Sequence, residues 1–237
     1  MLTGIEVASY GADLPGKPGL ADVIEVVAAN AGDMRIRLGS LEPTVVTEDF
    51  CRRLAAAGKL CRHFHLSLQS GCDRTLRAMN RKYDTAAFYA VCERLRRYFP
   101  GCALTTDLIT GFPGETDEDQ RETLAFIEKC AFAAMHIFPY SRRPGTPADK
   151  MPGQCANALK AARAHEAQAV AERMHRAFLE QSVGQILPVL FETAEEGSVG
   201  HSDTYLPVKV PESGLRGQLR NVRITAAEKD RLIGEII

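Results

Sequence analysis

No apolar run in this 237-residue sequence approaches the roughly 18 residues that a membrane-spanning helix needs. Its opening, MLTGIEVASYG, has no basic start followed by an apolar core, so it does not read as a secretory leader. The expected location is therefore cytoplasmic, with no membrane partner. Charge of one sign is not in excess either. The formal net charge is −1, which gives no global pull toward nucleic acid or anionic lipid, and any such binding must rest on local patches. The seven cysteines are Cys51, Cys61, Cys72, Cys92, Cys102, Cys130 and Cys155, and no two stand at CxxC or CxxxC spacing. Local metal-ligand motifs are thus lacking, and an odd set of unpaired thiols reads as reduced, small packing residues. No internal repeat or low-complexity tract is found.

What is present alternates. LADVIEVVAANAG reads as an apolar-faced helix ending at Gly32, and RIRLGSLEP as a short strand closed by Pro43. Thr47 is the expected N-cap of a helix that stops at Gly58. RHFHLSLQSG, ALTTDLITG and AAMHIFPY read as strands, with helices DTAAFYAVCERLRRYFPG and TDEDQRETLAFIEKC between them. Strands alternating with helices indicate βα units in a parallel sheet or barrel. After Tyr140 a Pro/Gly-rich basic loop leads to a long helical stretch over 155–182. Five short β segments then follow from about Gly184. The expected organisation is a parallel α/β unit over 1–150, a connecting helix over 151–183 and a small antiparallel β-barrel over 184–237.

Side chains alternate across a strand, so each strand's two faces can be read separately. Phe64, Leu66 and Leu68 oppose His63, His65, Ser67 and Gln69. Leu104 and Leu108 oppose Thr105, Asp107 and Ile109, while Met135 and Ile137 oppose His136, Phe138 and Tyr140. Ile36 and Leu38 oppose Arg35 and Arg37. Helices are expected over the apolar face. The polar face needs partners, since an unpaired buried polar group loses several kcal/mol of solvation. Either the groups satisfy one another, for instance Arg35 or Arg37 with Asp107, or they line a ligand site at the strand ends. The turn GFPGET, residues 111–116, opens a helix rich in acids that would repel a phosphate. Gly111 and Gly114 allow close backbone approach there, which suits a neutral base or a cationic ligand.

Taken in order, LTGIEVASYG, RIRLGSLEP, HLSLQSG, MNRKY, TDLITGFPGET and HIFPYSRRPGTPADKMPGQ resemble the successive motifs of radical S-adenosylmethionine (SAM) methylthiotransferases. HIFPYSRRPGTPA is most similar to the subfamily acting on N6-threonylcarbamoyladenosine beside the tRNA anticodon. Related subfamilies act on isopentenyladenosine in tRNA or on a ribosomal-protein aspartate. GHSDTYLPVKV resembles part of a TRAM domain, a small RNA-binding barrel. The resemblance implies an incomplete parallel (β/α) barrel followed by that module. It also implies SAM, two [4Fe-4S] clusters, an electron donor protein and tRNA, met at its anticodon loop, as partners; DNA is not one. It implies addition of a methylthio group to C2 of the modified adenosine, through a radical generated from SAM.

The sequence departs from that pattern, because it has no CxxxCxxC loop. The simplest expectation is a chain that begins inside the barrel, after the cluster loop, and is inactive alone; its catalytic residues stay unassigned. Carried over by motif, Ser40, Glu42, Gln69, Asp107, Ile109, Gly111, His136 and Phe138 are the expected SAM contacts. Residues 140–176 hold seven Lys/Arg against three Asp/Glu, Arg163 among them, and residues 182–237 six against eight. Arg142, Arg143, Lys150, Lys209 and Arg220 are the expected RNA contacts. Two other readings stay open: an RNA-binding remnant without catalysis, and a barrel lyase or hydrolase using Asp107 with His65 or His136.

Overall fold

Helix boundaries follow the local chemistry. In the computed structural model, which describes residues 1–193 and 197–237, α1 is Leu20–Asn30 and α2 is Glu48–Ala57. The Thr47 hydroxyl caps α2 by accepting from the Phe50 amide, and Gly58 ends the helix with φ +64°. The next helices are α3 (Asp73–Ala78), α4 (Thr85–Tyr98) and α5 (Asp117–Cys130). α3 has no counterpart in the sequence reading, its six residues being too few for a legible periodicity. Among them run the strands β1 (Ser40–Leu41), β2 (His63–Gln69), β3 (Ala103–Thr110) and β4 (Ala134–Pro139). The expected strand at 35–43 narrows to β1, with single bridges at Ile36–Leu60 and Leu2–Leu38 beside it.

The four strands are parallel and lie in chain order, β1-β2-β3-β4. Crossovers of one hand between successive neighbours place all the helices on one face, the geometry of a barrel wall. That face carries the core. Phe64, Leu66, Leu68, Leu104 and Leu108 are sealed against Leu54, Phe88, Leu95 and Ile127. The opposite, inner face carries the polar alternate residues, and on β4 His136 and Phe138 are exposed.

The 25-residue helix α6 (Asn157–Gln181) crosses this sheet from end to end. Near its start the Lys160 carbonyl accepts from Thr110 Oγ1, and fifteen residues later His175 Nδ1 donates to the Ala133 carbonyl, 2.7 Å away. At 1.5 Å per residue that is about 22 Å, the length of a sheet strand. α6 therefore delivers the chain to the N-terminal end of the sheet, where Leu179 enters a second core.

That core fills a closed barrel of β5 (Ile186–Phe191), β6 (Ser198–Ser202), β7 (Pro207–Val210), β8 (Leu219–Ala227) and β9 (Leu232–Ile236). Strand order is β5-β6-β7-β9-β8. The barrel is mixed rather than wholly antiparallel, because β9 returns beside β7 in the same direction. No helix among the described residues is long and apolar enough to cross a membrane.

Candidate functional site

The polar face divides into two ends with different partners. At the N-terminal end, Arg35 donates to the carbonyls of Pro188 (3.0 Å) and His201 (2.7 Å) of the terminal barrel. Arg62 pairs with Asp203 through two bonds, the shorter 2.6 Å. The Arg37 guanidinium lies 3.7 Å from the Tyr205 ring centroid, and that ring also stacks on His201 at 4.6 Å. His63 packs on Tyr205 as well. Arg35 and Arg37 thus do not pair with Asp107, nor do they reach a ligand site. They dock the small barrel, whose partner residues stand about 150 positions away in sequence.

At the C-terminal end the same face opens into a cleft of about 500 Å³. Gln69, Asp107, Ile109, Phe138, Tyr140 and Arg143 are among its walls. Register explains the convergence: Asp107 lies beside His136 and Ile109 beside Phe138 on adjacent strands. Asp107 Oδ2 is 3.2 Å from His65 Nε2. That hydrogen bond is the main cause holding the Asp107 carboxyl below the ordinary aspartate value, so it is ionised at neutral pH. His136 stacks on Phe138 at 6.4 Å, and the Phe138 ring is 53% exposed, an apolar plate facing the cleft. Gln69 ends β2 with φ +70°, a left-handed conformation costly for a residue with a side chain and common where a ligand is held.

Four of the expected contacts, Gln69, Asp107, Ile109 and Phe138, therefore share one cleft, with His136 at its edge. Others do not join them. Ser40 is exposed on the edge strand, and Glu42 is held 3.2 Å from Arg81. Gly111 has φ +69°, and a Cβ there would meet Lys160 Cγ at 2.5 Å. A close approach that this glycine permits is made by α6. The Gly114 amide donates to the Gly153 carbonyl at 2.9 Å, and it is at Gly153, not Gly114, that a Cβ would meet this backbone.

The acid of GFPGET and those that open α5 find partners inside the chain. Glu115 accepts from the Gly111 amide (2.8 Å) and pairs with Arg163 (2.9 Å), both side chains being only 4% exposed. Arg163 also holds Asp117 at 2.7 Å, and Arg74 clamps Asp119 and the Gly114 carbonyl. Arg163 is accordingly a buried strut and no RNA contact. Arg142 is tied to Asp149. Its neighbour Arg143 reaches the cleft with no ion-pair partner among the described residues. Lys150 is exposed at this end, whereas Lys209 and Arg220 stand on the terminal barrel. Lys209 shares a shallow groove there with Glu228, Arg231 and Glu235, and Arg220 bonds Gln218. The five cations do not form one patch. Tyr140 was missed as a wall residue, although it continues the alternate series His136, Phe138, Tyr140.

The cleft suits an adenosyl sulfonium compound: an apolar plate and Ile109 for a base, an amide and an ionised carboxylate for hydroxyl, amino or sulfonium groups. An iron–sulfur cluster finds no fit. Among the described residues the one group of three ligand-type side chains is Cys72, Asp119 and Glu122. Asp119 is already engaged by Arg74, and burial pushes the Cys72 thiol up to about 11, far from the thiolate that a cluster binds.

Comparison with known proteins agrees with this geometry. The family profile described as the radical SAM superfamily matches residues 5–127. Threonylcarbamoyladenosine tRNA methylthiotransferase MtaB of Thermotoga maritima is 34% identical over 235 residues, covering 98% of this chain and 54% of that protein. A tRNA-2-methylthio-N(6)-dimethylallyladenosine synthase of Symbiobacterium thermophilum is 36% identical over 247 residues, covering 100% of this chain and 53% of that one. The chain spans about half the length of the curated relatives it matches. Coproporphyrinogen III oxidase (HemN) from Escherichia coli shares the fold, with a TM-score of 0.55 at 14% identity over 94% of this chain and 57% of that one.

Proposed function

The chain belongs to the radical SAM superfamily, and from that premise we propose that it forms the SAM-binding and RNA-facing part of a tRNA methylthiotransferase. In this reading residues 1–150 are a partial barrel, 151–183 a connecting helix and 184–237 an RNA-binding module of the TRAM type. The observation that carries it is the cleft at the strand C-termini, where Gln69, Asp107, Ile109 and Phe138 converge. Phe138 and Ile109 take the adenine, and the Asp107 carboxylate and Gln69 amide take the polar groups of the ligand. SAM, when bound, supplies the adenosyl and methyl groups that the family's chemistry uses. The chain's own residues orient it and shield it from water. With no thiol triad to hold a cluster among the described residues, the chain contributes SAM binding in this reading rather than radical generation.

The substrate proposed is tRNA carrying N6-threonylcarbamoyladenosine next to the anticodon, modified at C2. Relatives of both adenosine classes are similar at 34–36% identity, so identity does not choose between them. Two features favour threonylcarbamoyl: the stretch HIFPYSRRPGTPA, and Arg143, a guanidinium at the cleft with no carboxylate partner among the described residues. A threonyl group offers it a carboxylate, whereas a dimethylallyl group offers only hydrocarbon.

One distance favours a lyase or hydrolase, since His65 and Asp107 are in hydrogen-bonding reach. Both nitrogens of His65 are occupied, however, by Asp107 and by Thr105 at 3.0 Å. The Thr105 hydroxyl through which that pair would act is itself buried, 9% exposed, and also bonds His63, so it is not presented to a substrate.

The test is a chimera in which this chain replaces the matching segment of the Thermotoga maritima MtaB enzyme, reconstituted without oxygen. Mass spectra of digested tRNA are expected to show one methylthio group added to threonylcarbamoyladenosine and none to dimethylallyladenosine. A folded, cluster-loaded chimera that modifies neither nucleoside contradicts the proposal.

A further inference from the structure

Side chains of the inner face form an unbroken line from the cleft to the docked barrel. Asp107 Oδ2 is 3.2 Å from His65 Nε2, and His65 Nδ1 is 3.0 Å from Thr105 Oγ1. Thr105 Oγ1 is 3.3 Å from His63 Nε2, and the His63 ring lies 5.2 Å from that of Tyr205. His63 and Thr105 are 6% and 9% exposed, so water competes little for these bonds.

Counting donors gives the line a direction. A carboxylate only accepts, so His65 Nε2 carries the hydrogen. In the neutral ring Nδ1 is then a lone pair, which takes the hydroxyl hydrogen of Thr105. The hydroxyl oxygen in turn accepts from His63 Nε2–H. His63 Nδ1 is left bare, and it is a buried side-chain nitrogen without a hydrogen-bond partner. Burial first, then the charge of Arg37, pushes His63 down to about 4, which keeps that ring neutral.

We propose that Thr105, with His63 and His65, is a positioning relay: it fixes the tautomers of both rings, holds the Asp107 carboxylate in one orientation, and ties the cleft to the docked loop of the terminal barrel. Its consequence for ligand binding rests on the cleft being the SAM pocket, but the relay itself does not. The barrel's docking is read at the cleft because Tyr205 sets the position of His63, and each later bond depends on the one before it. The relay residues touch no reacting atom.

Long-range proton–nitrogen NMR spectra of the 237-residue chain, taken at about pH 8 where free imidazole is neutral, test this without any ligand. Both His63 and His65 are expected as Nε2–H tautomers. Thr105→Val should leave His63 without its acceptor and turn its signals into those of a tautomer mixture, while Thr105→Ser keeps the native pattern. Thr105→Ala gives the same readout should the valine variant fail to fold. Tyr205→Ala should shift the His65 and Asp107 carboxyl signals, and that response should vanish when Thr105 is valine or alanine. An Nδ1–H tautomer at His65, unchanged His63 signals without the hydroxyl, or a Tyr205→Ala response that survives its loss would each overturn the relay. These spectra are independent of SAM, so failure of the relay and failure of the pocket are separate results.

Discussion

Replacing Arg163 with methionine is expected to lower the unfolding free energy by about 3–5 kcal/mol, because it strands a buried carboxylate. Glu115 is as deeply buried as Arg163, and the Gly111 amide would remain its one close donor besides its own turn. Burial already raises the Glu115 carboxyl above the ordinary glutamate value, and Arg163 is among the groups that lower it. Without the arginine it rises further. The sign of the pH dependence follows from proton binding. A carboxyl whose folded pKa exceeds its unfolded value binds more protons when folded, so acidification through that window favours the folded state. The deficit of the variant should therefore be largest near neutrality and shrink below the ordinary value of 4.5. Adding Glu115→Gln to Arg163→Met should recover part of the loss. Urea denaturation at two pH values measures all three effects. Equal deficits at both, with no recovery, would mean that the strut is not what holds GFPGET against α6.

Gly200→Ala is expected to open the terminal barrel, at a cost of about 3 kcal/mol. A Cβ at this position would stand 2.1 Å from the Leu190 carbonyl oxygen and 2.6 Å from the Phe191 Cα. Both are backbone atoms of the neighbouring strand and cannot turn aside as a side chain would. Separating β5 from β6 would also part the carbonyls of Pro188 and His201, which together hold Arg35. Hydrogen exchange is expected to quicken over β5 and β6, with β2 and β3 of the parallel sheet still protected. Unchanged exchange in β5 and β6 would show that the barrel tolerates the insertion and that its closure is looser than the structure indicates.

Local periodicity was legible and distant pairing was not. The period-two alternation of HFHLSLQ and LTTDLIT separated the core face from the polar face, because the physics of a pleated strand is local. Thr47 and Gly58 marked their helix for the same reason. The acids Glu115 and Asp117 could be seen, but not Arg163, which answers both across a helix, a strand and a loop. Arg35 and Arg37 could be placed on the polar face, yet their partners lie in the terminal barrel, and nothing in a strand's alternation shows which of its ends meets another module. The parallel return of β9 beside β7 was hidden likewise, since short β segments carry no mark of direction. Within the cleft, Gln69, Asp107, Ile109 and Phe138 were found by motif and alternation together. Gly111 could be seen to permit close approach, but not that Lys160 of α6 makes one.

The proposed function stands on SAM binding in the cleft at the strand C-termini. Titrating SAM into the isotope-labelled 237-residue chain, and following backbone and side-chain NMR signals, tests it most directly. Saturable shifts are expected at Gln69, Asp107, Ile109 and Phe138, and about tenfold weaker binding after Asp107→Ala through loss of a charged hydrogen-bond acceptor. Shifts confined to another surface, such as the groove between α6 and the turn at Lys229 and Asp230, or an affinity indifferent to Asp107, would contradict it.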